Sequence, residues 1–227
     1  MYCTKTQLQM YLGVSIAAGL DTYITSLITM SEQWINARCN RWFEDNDEAA
    51  TRYYNGNGLT KIVVDDLREL TTLVVDNITL VEGEDFYTYP LNASADGVPF
   101  EWIELIQPET QLGAAHTNSR MANVVNYIFE KRQKNIVATG KWGYSTGVPA
   151  TINVATLRLI AAVVKENVGD TDLKEINSES LLDYNVSYGK MSEIANKLRI
   201  GEMLEPFVKD TKALINKDNK GTIMQVS

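Results

Sequence analysis

From Ile152 to Val168 the chain reads "INVATLRLIAAVVKENV", and its apolar residues fall nearly all the way round a helix. A helix of that kind cannot lie on a surface; it must be covered on several sides. The covering elements have to come from elsewhere in the sequence. Helical periodicity recurs only near the two ends. The long stretch between them switches to a period of two. This pattern predicts an α+β fold: a small helical bundle formed by N- and C-terminal helices, with a β-rich insertion of hairpins or a small antiparallel sheet between them.

At the N-terminal end, Thr4 stands three residues before Gln7 in a capping-box arrangement, and Gly13 supplies a stop. Asp21 is suited to cap a long helix reaching about Trp42. Along it Ile24, Leu27, Ile28, Ser31, Ile35, Cys39 and Trp42 share a face at three- and four-residue steps, with Trp34 beside the stripe. Cys39 therefore reads as a small core residue. Pro149 suits the first turn of the apolar helix, and Gly169 its end. A last amphipathic segment carries Ile200, Met203, Leu204, Phe207, Val208, Thr211, Leu214 and Ile215 on one face, and Pro206 is expected to break or kink it.

The middle is punctuated differently. Strand-forming residues flank Asn55-Gly56-Asn57-Gly58, a hairpin signal because Asn and Gly accept positive φ angles. The runs "LTTLVVDNITLVEG", "DFYTYP" and "FEWIELIQ" read as further strands. Residues 108 to 122 read as a loop, and "NVVNYIFE" and "NIVATGKWG" as a last strand pair around "KRQK". The expected organisation is a helical core from 1–50 and 145–215, a β-rich insertion over 51–144, and a flexible C-terminal arm over 216–227. The "GKWGYSTGVP" stretch then marks the junction at which the insertion ends and the apolar helix begins.

Charge and chemistry narrow the function. The net charge is -8, and residues 44 to 109 hold fifteen acids against only Arg52, Lys61 and Arg68. Residues 190 to 220 hold seven bases against five acids. A clustered basic face, the footprint of a tight nucleic-acid reader, is missing. No apolar run approaches the roughly 20 residues of a membrane span. The first residues lack a basic and apolar leader pattern, so a chain made and used in a cytosol is expected. Two cysteines, Cys3 and Cys39, fit no metal or redox spacing, and the single histidine, His116, sits in a polar stretch.

Other chemical signals are equally thin. "GNG" lacks the rest of a phosphate loop, and "DNDEAA" lacks the glycine and distal glutamate of a calcium loop. The pairs Asp65-Asp66 and Glu84-Asp85 sit at strand ends and read as a solvated rim. Few bases are interleaved with Trp34, Trp42, Trp102 and Trp142, so packing is favoured over base stacking. No catalytic residue, cofactor or metal is expected. A protein that binds other proteins is the reading left standing. A nucleic-acid-associated packaging protein and a small enzyme using Asp65 or Asp66 are the competing classes.

Three stretches resemble the head-tail connector (adaptor, or head completion) proteins of tailed bacteriophages. These are "TKTQLQMYLGV" through "INARCNRWF" to "RYYNGNGLTKIVVDD"; "VATGKWGYSTGVPATINVATLRLIAAVV"; and "SESLLDYNVSYGKMSEIANKL". The chain departs from that family at 83 to 134, where it is longer, and at Leu182, where a glycine is common. The resemblance implies a structural, non-catalytic virion protein assembled in the host cytoplasm. It implies a homo-oligomeric ring, usually dodecameric, at the head-tail junction, with the portal protein on one side and the tail or a stopper protein on the other. Viral DNA would pass through the channel without sequence-specific binding. It also implies that the C-terminal segment is an arm ordering against the portal, for which Ile223, Met224 and Val226 are the apolar anchors.

Overall fold

A computed structural model describes residues 1–43, 47–107, 127–168, 175–176 and 187–209. In chain order they form α1 (Lys5–Leu12), β1 (Ser15–Ile16), α2 (Asp21–Cys39), β2 (Ala49–Tyr54), β3 (Lys61–Val75), β4 (Ile78–Leu80) and β5 (Phe86–Tyr89). Then follow α3 (Ala93–Asp96), β6 (Phe100–Leu105), β7 (Ile136–Trp142), α4 (Ala150–Val168), β8 (Glu175–Ile176), α5 (Tyr188–Lys197) and α6 (Ile200–Leu204). The fold is α+β as expected. The chain divides into two compact units, one of Met1–Glu44 with Gly147–Lys209, the other centred on Asp45–Thr146.

The helical unit is organised around α4. Helices α1, α2, α5 and α6 all pack on it. Ile152, Ala155, Leu159, Ile160, Val163 and Val164 are essentially sealed from solvent, each large aliphatic side chain worth about 1.5–3 kcal/mol of burial. Among residues 150 to 166, the exposed positions are Ala150, Thr151, Val154, Lys165 and Glu166, at the two ends and along one side, so the apolar circumference is covered nearly as far as it extends. The capping box forms: Gln7 N–H donates to Thr4 Oγ1 at 3.2 Å and Thr4 N–H to Gln7 Oε1 at 2.8 Å. Gly13 ends α1 in the left-handed region at φ 70°.

On α2, the predicted stripe is buried from Ile24 to Cys39, and Trp34 joins it, its Nε1–H donating to Ser192 Oγ on α5 at 2.9 Å. Trp42 departs from expectation. The helix ends at Cys39, and Asn40 adopts φ 52°, which turns the chain off the helical face. Trp42 is consequently 70% exposed, while Phe43 takes the core position between Tyr2 and Phe207, edge-on to both. Pro206 does break the last amphipathic segment: α6 stops at Leu204 and a short 3-10 turn, Glu205–Phe207, follows. Positions beyond Lys209, including Leu214 and Ile215, lie outside the described residues.

The sheet unit is antiparallel, with strand order β2-β7-β3-β6-β5 and β4 paired to the end of β3. Strand β3 is its spine. Lys61 to Leu67 pair with β6, Leu67 to Val75 with β7 on the other side, and Leu73 to Val75 also with β4. Register shifts interrupt the ladders between Val63 and Leu67, Leu67 and Glu69, and Leu70 and Thr72, as bulges do where a long strand must bend. Ile62, Val64, Leu67, Leu73, Val75, Phe86, Ile103, Phe129 and Ile136 fill the core.

Two strand pairings differ from those expected. Strands β2 and β3 do not form a hairpin, because both pair with β7, which lies between them. The Asn55-Gly56-Asn57-Gly58 turn instead packs on residues 129 to 135: Gly56 N–H donates to Arg132 O at 3.0 Å and Gly58 N–H to Phe129 O at 2.7 Å. The last strand pair around "KRQK" is not formed by its described part either. Residues 127–135 run as loop, and "NIVATGKW" finds its partners in β2 and β3. Residues 108–122 lie outside the described residues.

Candidate functional site

Where the β3–β7 ladder ends at Leu67 and Trp142, beside a bulge, lies a cleft of about 410 Å³ whose lining includes Asp47, Arg68, Glu69, Ser94, Lys141 and Tyr144. Gly140 allows the ladder to close here. A Cβ at that position would stand 2.2 Å from Glu69 O, so only glycine admits the bulged strand. The cleft is laced by ion pairs: Arg68 Nη2 to Asp47 Oδ1 at 3.3 Å, Lys141 Nζ to Glu69 Oε2 at 3.1 Å and to Asp47 Oδ1 at 3.8 Å. Two cations and two carboxylates thus neutralise one another. Chemically it is a cross-braced rim.

Beside it the end of β7 is pinned by aromatics. Trp142, 4% exposed, donates its Nε1–H to Ala50 O at 2.7 Å, and the Arg52 guanidinium lies 4.4 Å from the ring centroid. Arg52 also pairs with Asp65 at 2.6 Å, and Tyr54 Oη donates to the same carboxylate at 3.0 Å. Burial, with Asp65 beside it, pushes the Tyr54 phenol well above its ordinary pKa. At the other end of the sheet Trp102 stacks flat on Tyr89, centroids 5.4 Å apart, with Lys61 Nζ 4.2 Å from the Trp102 centroid.

The carboxylate pairs do not assemble as pairs. Asp65 is exposed and bound by Arg52, whereas Asp66 is buried, and its carbonyl accepts Gly143 N–H at 2.8 Å. Asp85 is 1% exposed and accepts Val81 N–H at 2.7 Å, the role of a turn brace. Both thiols are buried. Burial pushes Cys3 up to about 12 and Cys39 up to about 11, the opposite of what a nucleophile needs. No group of three or more metal-binding side chains occurs among the described residues. No helix among the described residues is long and apolar enough to cross a membrane. His116, Leu182 and the expected portal anchors Ile223, Met224 and Val226 lie outside the described residues.

Exposed large apolar side chains occur on both units, Tyr53 and Leu91 on the sheet unit among them, and on the helical unit they gather at Trp42 and at the end of α1. Trp42 borders a shallow groove of about 300 Å³ with Gln33, Asn36, Ala37 and Asn40. Met10 and Tyr11, at the end of α1, are 72% and 49% exposed. An indole this open, next to amide side chains able to donate and accept, has the composition of a protein-contact hot spot. Sequence reasoning missed it because Trp42 continues the α2 stripe by count, and only the left-handed Asn40 takes it out of register. Set against models of known protein families and against curated protein sequences, the chain matches neither a family model nor a curated protein.

Proposed function

We propose that the protein is a structural subunit of a bacteriophage head-tail junction: a connector that forms a ring on the portal and receives the tail or a stopper protein. The observation that carries the reading is the sequence order itself, helix, long helix, β-rich insert, Gly-aromatic junction, apolar helix, which resembles the connector proteins over both ends of the chain. Its described parts support this reading in two ways. Asp65 and Asp85 are engaged as braces, and among the exposed large hydrophobic side chains described on the helical unit only Met10 exceeds Trp42, a residue suited to a protein partner.

The acids of 44 to 109 would then belong to the channel or its rim, where like charge keeps passing DNA from adhering. Asp47, Asp65 and Glu69 are solvent-facing members of that set but are each paired with a base, so the repulsion would rest on the remaining acids, the exposed Asp96 among them. The C-terminal segment, with Ile223, Met224 and Val226, would be the arm that orders against the portal. A genetic test is direct: a phage whose copy of this gene is interrupted is expected to accumulate heads and tails that do not join. Normal virions from such a phage would overturn the proposal.

A further inference from the structure

The Asn55-Gly56-Asn57-Gly58 turn carries two Asn-Gly steps, the sequence in which an asparagine side chain is most open to attack by the next backbone nitrogen. In that reaction the deprotonated glycine nitrogen bonds to the asparagine side-chain carbonyl carbon, and ammonia leaves. Water then opens the resulting five-membered imide to aspartate or isoaspartate. The attack needs a glycine nitrogen free of hydrogen bonds and an asparagine side chain free to swing over its own backbone.

Neither condition holds here, at either step. Gly56 N–H is shared between Arg132 O at 3.0 Å and Asn135 Oδ1 at 2.9 Å, and Gly58 N–H donates to Phe129 O at 2.7 Å. Asn55 Oδ1 accepts Lys134 N–H at 2.8 Å. Asn57 is held at both ends, its Oδ1 by Leu59 N–H at 2.9 Å and its Nδ2 on Lys61 O at 2.8 Å. The packing is as close as backbone allows: a Cβ on Gly56 would lie 1.7 Å from Glu130 O. Asn135, the keystone, also donates to Glu130 O at 3.2 Å, and its own carbonyl accepts Asp76 N–H at 2.9 Å.

We infer that this turn is a dormant deamidation site, held shut by its latch onto residues 129 to 135, so that modification of Asn55 and Asn57 begins only when the latch opens. The change is one-way. An isoaspartate at 55 adds a backbone carbon next to Gly56, where no room exists for even a Cβ, so the modified turn cannot re-dock. Deamidation at this turn therefore records opening of the sheet unit at the point where β2 ends and β3 begins.

The full chain is incubated in mildly alkaline buffer with and without urea, and both sites are followed by peptide mass spectrometry. Deamidation at Asn55 and Asn57 is expected to be slower in the folded protein by about tenfold or more. Equal rates in the folded and unfolded chain would overturn the inference. Asn135→Ala, which removes one acceptor from Gly56 but none from Gly58, is expected to speed Asn55 several-fold over Asn57. A folded variant in which Asn55 gains nothing over Asn57 would also overturn it. Should that variant fail to fold, hydrogen exchange of the Gly56 and Gly58 amides in the unaltered protein decides: slow exchange at both upholds the latch, and exchange at the free-peptide rate refutes it.

Discussion

The phenol oxygen of Tyr2 accepts the backbone N–H of Phe43 at 2.9 Å, across 41 residues of sequence. It also donates to Asn36 Oδ1 on α2, while Tyr2 O accepts from Asn153 Nδ2 on α4 at 2.6 Å. The backbone carbonyl of Tyr2 thus holds the first turn of the central helix, and its hydroxyl ties down the exit from α2. Removing it with Tyr2→Phe keeps the ring but orphans a buried N–H and an amide oxygen. The expected cost is about 1–3 kcal/mol in the unfolding of the helical unit, read by denaturant titration. No change beyond about 0.5 kcal/mol would show that water serves both groups equally well.

Alkali should unfold the same region. Burial raises Tyr2 from 10.0 to about 12, and lifts Cys3 and Cys39 from 9.0 to about 12 and about 11. Each group therefore keeps its proton to higher pH in the folded chain than in the unfolded one. The stability they lend is whole below pH 9.0 and is lost as pH rises through the folded values. Denaturant midpoints measured across that range are expected to fall for the unaltered protein and to fall less steeply for Tyr2→Phe. A flat profile would contradict the burial of these groups.

For the same reason neither thiol is expected to react with a disulfide reagent at neutral pH while the protein is folded, whereas both react at once in denaturant. One fast-reacting thiol in the native protein would mean that the pocket of Cys3 or Cys39 opens readily.

In the sheet unit the discriminating substitution is Gly140→Ala. Its Cβ would meet Glu69 O at 2.2 Å with no flexible side chain to yield, so a loss of about 3 kcal/mol or more is expected. Gly19→Ala, where nothing lies within 4 Å and φ is not left-handed, should stay within about 0.5 kcal/mol. Comparable effects of the two on thermal unfolding would argue against the β3–β7 bulge.

How far the sequence disclosed all this depended on the range of the interaction. The Thr4–Gln7 box and the α2 stripe up to Cys39 rest on residues three or four apart, and local spacing is sufficient to find them. The apolar circumference of α4 forced the conclusion that both ends of the chain cover it. Strand pairing is different. Asn55-Gly56-Asn57-Gly58 announces a turn correctly but cannot say that β7, some eighty residues on, intervenes between the strands it joins. The tight two-residue turn of the sheet lies instead at Asp76-Asn77, both with positive φ, between β3 and β4. The acids of the cleft were visible as composition only. Their pairing with Arg68 and Lys141 depends on bulges that leave no mark in hydrophobic periodicity.

The exposed indole of Trp42 separates folding from association. Trp42→Ala is expected to leave stability within about 0.5 kcal/mol, since it removes little buried area, while Trp34→Ala costs about 3–5 kcal/mol. If Trp42 is a contact, the first substitution weakens assembly tenfold or more without altering the fold. Unchanged assembly would assign the contact elsewhere.

The central proposal, a connector subunit, is tested most directly by the mass of the purified protein measured alone and then mixed with the portal ring of the same phage. A connector subunit is expected to associate with the portal as a closed set of copies, in a fixed ratio to the portal ring. A stable monomer that stays a monomer in the presence of the portal would contradict it.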